Sequence, residues 1–409
     1  MKRPYGSVCV LGMGYIGLPT AAVFANRGVK VLGVDVRPDV VETINQGKIH
    51  IEEPGLDVAV RAAISSGNLK AFNKPQPADT FILAVPTPFK DGHQPDLNYV
   101  DAAAESIVPV VRNGNLIILE STSPPGTTER VAEIVSKKTG KPIADFFFAH
   151  CPERVLPGRT MEELVSNDRI IGGLTPEAAQ KARDLYSIFA QGEIMLTGAR
   201  TAELTKLVEN TFRDVNIALA NELSMICDKL GINVWECIRM ANHHPRVKIL
   251  APGPGVGGHC IAVDPWFIVA MAPNESKLIR TAREVNDSKP HFVEQKIFAL
   301  AEKHKAAKDE VLLLGLTYKP DVDDFRESPS MEIAHRITKK LGNKVLVHDP
   351  FLEKESNLIG QLRLTEDLEK SLDKAKIVVL LVDHKIYKQI PKEKLAGKDA
   401  LDTRGTWSA

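Results

Sequence analysis

Cys260 is the residue of this chain best placed to do covalent chemistry. It sits in APGPGVGGHCIAVDPW, residues 251–266. Gly257 and Gly258 have no Cβ, so the backbone can pass close to a ligand there, and Pro252 and Pro254 stiffen the approach. The apolar run IAVDPWFIVA follows and could begin a helix, placing the thiol near a helix N-terminus, where the dipole and free N–H groups favour a thiolate. A thiolate is the form that attacks carbonyl carbon. Taken alone, a cysteine among apolar residues reads first as a small buried hydrophobe. A second group lies upstream in RTAELTKLVENTFRDVNIALANELSMICDKL, where Lys206, Asn210 and Arg213 fall at i, i+4 and i+7 of a helical pattern. Such a stripe describes a solvated face as well as a site. An amide between two bases, with no acid between them on that stripe, also suits an anionic or oxygen-rich substrate. Between the two groups, ANHHPRVKI carries His243, His244 and Arg246. Adjacent histidines do not recreate a zinc-binding helix face, and no metal is expected. Arg246 suits a carboxylate or phosphate gripped bidentately.

These groups need elements to position them, and the N-terminal residues supply the first. SVCVLGMGYIG reads as a short buried strand running into Gly12-x-Gly14-x-x-Gly17, with Tyr15 and Ile16 inside the turn and a helix beyond. Gly12 permits the tight turn, Gly14 lets backbone approach a pyrophosphate, and Gly17 allows close helix–strand packing. A second strand, VKVLGVDV, ends at Asp35, 18 residues beyond Gly17. A carboxylate there accepts hydrogen bonds from ribose hydroxyls and repels a 2′-phosphate, which favours NAD over NADP. Arg37 is the dissenting residue, since an arginine there could serve that phosphate.

Further strands are predicted at 80–85, 115–120 and 145–149, alternating with helical stretches, hence a parallel doubly wound sheet. Ligands of such sheets sit beyond the carboxyl ends of the strands, which here carry Thr87, Thr122 and the Cys151-Pro152-Glu153-Arg154 run. Thr87 and Thr122 are cofactor-contact candidates; Cys151 reads as structural. Residues 200–230 contain neither Gly nor Pro and predict a helix of roughly 45 Å, able to link two domains or form a dimer seam. From about residue 300 the strand–helix alternation restarts, predicting a second, smaller α/β domain. Its first strand ends at Gly315-Leu316-Thr317-Tyr318-Lys319, with Arg326 following, and Lys319 is placed to face an interdomain cleft.

The chain has 409 residues, enough for two or three domains. Basic and acidic residues balance at 52 each, which argues against a general nucleic-acid binder. Five cysteines, odd in number and without C-x-x-C spacing, suit a reducing cytoplasm. The uncharged stretch Tyr5–Asn26 superficially resembles an anchor, but Gly12, Gly14, Gly17 and Pro19 interrupt it. No membrane association is expected.

With these residues in hand, the chain resembles the UDP-glucose/GDP-mannose dehydrogenase family along nearly its whole length. The similar stretches are GMGYIGLPTA, AVPTPF, LESTSPPGTTE, CPERVLPG, RTAELTKLVENTFRDVNIALANEL, HPRVKILAPGPGVGGHCIAVDPWFI, GLTYKPDVDDFRESP and LVDH. The resemblance implies two Rossmann-like domains joined by a long central helix: a cofactor domain at 1–198, a central helical, dimerising segment with the cysteine at 199–300, and a UDP-sugar domain at 301–409. It further implies a homodimer through the helix and a four-electron oxidation of a sugar C6 hydroxymethyl to a carboxylate with two NAD⁺. By the same resemblance Cys260 is the nucleophile, Lys206, Asn210 and Asp264 assist it, and Thr122 and Glu153 stand near the reacting centre. Substrate contacts are implied for Arg154, Val155, Lys206, Asn210, Arg213, His244, Arg246, Gly257 and Lys319, and a cofactor contact for Arg326. The stretches CPERVLPG and GPGVGGHC are similar to those of members acting on 2-acetamido sugars. UDP-N-acetyl-D-mannosamine is the expected substrate, with UDP-N-acetyl-D-glucosamine as the alternative.

The reaction accounts for these residue types. Alcohol oxidation needs a base or water for the hydroxyl proton and a stabiliser for the alkoxide, a role that suits Lys206 and Asn210. Cys260 adding to the aldehyde gives a thiohemiacetal, whose oxidation gives a thioester that water hydrolyses. Asp264, four residues on and on the same side if the segment is helical, could orient that water. Two other readings compete: a two-electron β-hydroxyacid-type dehydrogenase, which would have no use for Cys260, and an NAD-sensing binding protein with a degenerate pocket.

Overall fold

The structure, a computed structural model, describes residues 6–258, 261–353 and 356–407. The chain divides into two compact units, residues 1–209 and 210–409.

The first unit is built on one sheet of eight strands: β1 (Ser7–Leu11), β2 (Lys30–Val34), β3 (Leu69–Phe72), β4 (Thr80–Leu83), β5 (Leu116–Leu119), β6 (Phe147–His150), β7 (Arg169–Gly173) and β8 (Ile194–Gly198). Their spatial order is β8-β7-β6-β5-β4-β1-β2-β3. The first six strands thus follow the 3-2-1-4-5-6 order of dinucleotide-binding sheets. Side chains alternate between faces: Val8 and Val10 of β1 enter one core while Cys9 and Leu11 enter the other. Burial on both faces explains why β1, β4 and β5 read as continuous apolar runs. The expectation of a wholly parallel sheet is corrected at one edge, where β7 pairs antiparallel with β6 and β8 runs parallel to β7. These edge strands were illegible because RIIGG and IMLTG are short and rich in glycine or polar residues.

Helix α1 (Gly17–Asn26) follows β1 through the glycine turn. Gly12 has φ +89°, and a Cβ built on Gly17 would lie 1.8 Å from the Gly12 carbonyl oxygen. Strand and helix therefore close on each other through two positions that admit no side chain. At Gly14, by contrast, a Cβ would meet nothing within 4 Å.

Helix α2 (Ala199–Leu230) has 32 residues, about 48 Å at 1.5 Å per residue. It begins in the first unit and ends in the second. Its faces are inverted relative to an ordinary surface helix. Glu203, Lys206, Asn210, Asp214 and Asn221 are buried along one side, while Leu204, Val208, Phe212, Leu219, Ile226 and Leu230 are exposed along the other.

The second unit continues with α3 (Asp264–Met271), α4 (Lys277–Lys303) and a four-stranded parallel sheet of β9 (Val311–Leu314), β10 (Val345–His348), β11 (Ile377–Leu380) and β12 (Asp399–Asp402), ordered β10-β9-β11-β12. Helix α5 (Pro329–Leu341) packs beside α4. The restarted α/β alternation of the sequence corresponds to this sheet. Among the described residues no helix is long and apolar enough to cross a membrane.

The Gly12–Gly17 closure yields a prediction. Gly17→Ala forces backbone against backbone and is expected to cost roughly 1–3 kcal/mol, lowering the melting transition of the first unit by several degrees. An unchanged transition in calorimetry would show that the turn can open without penalty.

Candidate active site

At the carboxyl ends of the first sheet, loops from successive strands meet and are held by buried side chains. Asp35, just after β2, accepts backbone N–H groups from Met13 at 3.1 Å and Arg37 at 2.9 Å. Its two oxygens keep acceptor capacity for further donors. Arg37 is exposed and its guanidinium pairs with Asp39. Helix α1 begins with no capping side chain and no acid in its first turn, so its positive dipole end meets no negative side chain of its own. Open space at Gly14, an uncapped helix N-terminus and a carboxylate beyond β2 together fit a dinucleotide.

Thr87 and Thr122, predicted on separate strand ends, are brought together: Thr87 Oγ1 donates to the Thr122 carbonyl at 2.7 Å. Ser121 ties the same two loops, accepting from Val85 N and donating to Val85 O at 2.9 and 2.7 Å. The helix after this loop is capped from α2, since Glu203 accepts Gly126 N at 2.7 Å, Thr128 N at 2.8 Å and Thr128 Oγ1 at 2.6 Å. Sequence reasoning missed Glu203, although a carboxylate three residues before Lys206 on the same helix was visible. Lys206 and Asn210 themselves are buried, so the solvated-face reading fails for both. Arg213 is exposed.

The CPERVLPG loop after β6 is pinned by Glu53, which accepts Gly158 N at 3.0 Å and Thr160 N at 2.7 Å. Glu153 is buried; it accepts the Arg154 N–H at 2.8 Å and pairs with the buried Arg169 guanidinium at 3.1 Å. The Arg154 side chain is held by Glu209 and the Asp168 carbonyl. Val155 packs against the core of the first unit. Beneath Glu153 lies a cluster the sequence did not reveal. Glu120, at the end of β5, accepts from Tyr186 OH at 2.9 Å and Thr20 Oγ1 at 3.4 Å. Burial, then the charge of Glu153, pushes its carboxyl up to about 8. Burial likewise pushes the Cys151 thiol up to about 12, leaving it protonated and structural.

In the second unit, Asp264 is buried and accepts Asn210 Nδ2 at 2.5 Å. The expectation that Asp264 continues a helix from Cys260 is corrected, because residues 261–263 are turn and α3 starts at Asp264. Pro265 suits that start: it lies in the first turn, where its missing N–H has no intrahelical partner to lose. Cys260 lies outside the described residues. The glycine segment leading to it is closely packed. A Cβ on Gly257 would lie 2.4 Å from the Glu327 carbonyl oxygen, and one on Gly255 would lie 2.8 Å from Pro329. His244 and Arg246 are exposed, with Arg246 N donating to His244 Nδ1 at 3.3 Å. Lys319 is half-buried beyond β9, its carbonyl accepting Thr317 Oγ1 at 2.8 Å. Thr317 is in turn set by the buried His384, 3.1 Å away, which also approaches Asp349 at 3.3 Å and accepts Asp321 N at 2.9 Å. Arg326 is exposed and paired with Asp324 at 2.6 Å. Arg404, near the C-terminus, was also missed; its guanidinium would lie 2.7 Å from a Cβ on Gly253.

Glu120 generates a prediction. In the unfolded chain its carboxyl ionises near 4.5, while in the fold it keeps its proton to about 8. The folded state therefore binds the extra proton between these values, and stability falls as pH rises through the window. Glu120→Gln cannot titrate. Its melting temperature relative to the parent is expected to climb from pH 5 to pH 8, and parallel curves would mean that Glu120 is ionised in the fold.

Comparison with known proteins joins these features. Residues 6–190 match the NAD-binding domain of the UDP-glucose/GDP-mannose dehydrogenase family, residues 200–288 its central domain and residues 312–409 its UDP-binding domain. The chain is 52% identical over 406 residues to a UDP-N-acetyl-D-mannosamine dehydrogenase of Campylobacter jejuni, covering 96% of this chain and 98% of that one. It is 51% identical over 413 residues to an NDP-N-acetyl-D-galactosaminuronic acid dehydrogenase of Ralstonia nicotianae, covering 99% and 97%. The solved UDP-D-ManNAc dehydrogenase of Pyrococcus horikoshii superposes with a TM-score of 0.88 at 41% identity, covering 98% of this chain and 96% of that one. A dinucleotide turn that fits NAD, a second α/β sheet and full-length similarity place the chain in the UDP-glucose/GDP-mannose dehydrogenase family, as an NAD-dependent oxidoreductase of nucleotide sugars.

Proposed function

We propose that the protein oxidises the C6 hydroxymethyl of UDP-N-acetyl-D-mannosamine to a carboxylate. One alcohol, two NAD⁺ and one water become one uronate, two NADH and three protons. The observation that carries this reading is the similarity to the Campylobacter jejuni UDP-N-acetyl-D-mannosamine dehydrogenase, which extends over 96% of the chain. NAD, when bound, supplies the acceptor for the two hydrides. In the N-terminal unit the Gly12–Gly17 turn, including Tyr15 and Ile16, would hold its pyrophosphate and Asp35 its ribose, beside Arg37, Thr87 and Thr122; Arg326 is a further cofactor contact. Lys206 and Asn210 stabilise the alkoxide, and Cys260 holds the aldehyde as a thiohemiacetal and then a thioester. Asp264, which accepts from Asn210, orients the hydrolytic water. Glu153 and Thr122 act near the reacting carbon, while Arg154, Val155, Arg213, His244, Arg246, Gly257 and Lys319 grip the nucleotide sugar.

A second substrate reading has a specific basis in the Ralstonia nicotianae relative, named for N-acetyl-D-galactosaminuronic acid. The test is to offer the manno, gluco and galacto UDP-N-acetylhexosamines and count NADH per uronate. Two NADH with the manno sugar preferred is the expected result. A better galacto or gluco substrate would overturn the epimer assignment, and one NADH per product the four-electron assignment. Cys260→Ala is expected to abolish uronate formation, and full four-electron turnover in that variant would exclude the thioester route.

We also propose a cytoplasmic homodimer. The cysteines described are unpaired thiols, as a reducing compartment keeps them. The exposed stripe of α2, in which Phe212 is 66% exposed and Leu230 64%, is an apolar face that a second copy would cover. Phe212→Asp is expected to halve the mass measured by light scattering, and an unchanged mass would rule out this seam.

A further inference from the structure

The glycine segment 251–258 is set by one buried chain of polar side chains, and the reaction assigned above makes no use of that chain. Gly253 is buried, and its N–H donates to Asn221 Oδ1 at 2.9 Å. This is the shorter of the segment's two described backbone-donated hydrogen bonds; the other, from Gly258 N to the Glu327 carbonyl, is 3.4 Å. Asn221 is fully buried on α2, and its Nδ2 donates to Asn286 Oδ1 at 2.9 Å. Asn286, on α4, donates to the backbone carbonyl of Asp214 at 3.1 Å and to its Oδ1 at 2.8 Å. Arg283 then closes the chain, donating to Asp214 Oδ1 at 2.6 Å and to Asp287. Every side chain from Arg283 to Asn221 is at most 2% exposed.

The orientation of each amide follows from its neighbours. Asp214 only accepts, so Asn286 must turn its NH₂ toward it and its oxygen toward Asn221. Asn221 must then present its NH₂ to Asn286 and its oxygen to Gly253. The carbonyl and carboxylate of Asp214, two links along this chain, thus determine that an acceptor, not a donor, faces the glycine segment. On the other side the segment meets Pro290, Pro329 and the Glu327 carbonyl with no room for a Cβ at Gly255 or Gly257. The backbone just before Cys260 is clamped between a directed hydrogen bond and a wall of proline.

We propose that Asn221, directed by Asn286, Asp214 and Arg283, is a positioning residue for the oxidation, holding the glycine segment in the register that the reacting groups require. The proposal rests on the dehydrogenase reading above. Small misplacement of a reacting group costs about 100-fold in rate.

The test uses the full-length protein with NAD⁺ and the nucleotide sugar. Asn221→Leu, of similar volume but without the amide, is expected to lower kcat by about 10- to 100-fold while KM for the sugar rises less than about threefold. Hydrogen exchange read on peptides should quicken at Gly253–Gly258 and stay unchanged in α4. Should that variant fold poorly, Asn286→Ala leaves the Gly253 bond in place but undirected, and should shift kcat and exchange in the same direction by less. The proposal is overturned if exchange of the segment is unaltered, if it quickens without a fall in kcat, or if activity falls only in proportion to folded protein. A parent enzyme that reduces no NAD⁺ with any nucleotide sugar would defeat the functional reading instead, and the exchange measurement would still decide whether Asn221 holds the segment.

Discussion

A buried polar group must find a partner, and helix α2 places five such groups along one face. Glu203, Lys206, Asn210, Asp214 and Asn221 are all withdrawn from water, while leucines, isoleucine, valine and phenylalanine face outward. Burying such groups costs free energy that hydrogen bonds offset. The partners are therefore informative. Glu203 caps the helix that follows the Thr122 loop, Asn210 meets Asp264, Asp214 takes Arg283, and Asn221 takes the Gly253 N–H. Three of these contacts reach a loop or a helix start, so the polar face of one regular helix orders irregular chain, while the Asp214–Arg283 pair ties it to the interior of α4.

Buried charge does related work at the ends of both sheets. In the first unit Arg169 holds Glu153 while Glu120 stays protonated beneath it. In the second, Asp349, His384 and Thr317 hold the backbone at Lys319. Such groups are costly to bury, and removing one partner of a buried pair typically costs about 3–5 kcal/mol. Their hydrogen bonds leave few alternative arrangements, which suits loops that must present specific atoms to a ligand.

The chain is 52% identical to a relative named for UDP-N-acetyl-D-mannosamine and 51% identical to one named for N-acetyl-D-galactosaminuronic acid, so overall identity does not separate the two sugars. A change of configuration at one or two sugar carbons alters the direction of a hydroxyl or amide and nothing of the nucleotide.

Sequence alone determined the features that local chemistry dictates: the glycine turn with Asp35 beyond it, the strand and helix alternation of both α/β regions, the long helix free of glycine and proline, and the residue types around Cys260. Periodicity and turn chemistry act over a few residues, so they can be read without a fold. Tertiary structure decided the rest. Only folding could show that Thr87 reaches Thr122, that Asp264 starts a helix rather than continuing one, that the β7 edge runs antiparallel, and that Glu120, Glu203, Asn221 and His384 matter. Those residues are ordinary in the sequence because their importance lies in burial and in partners tens of residues away, and neither is a local property.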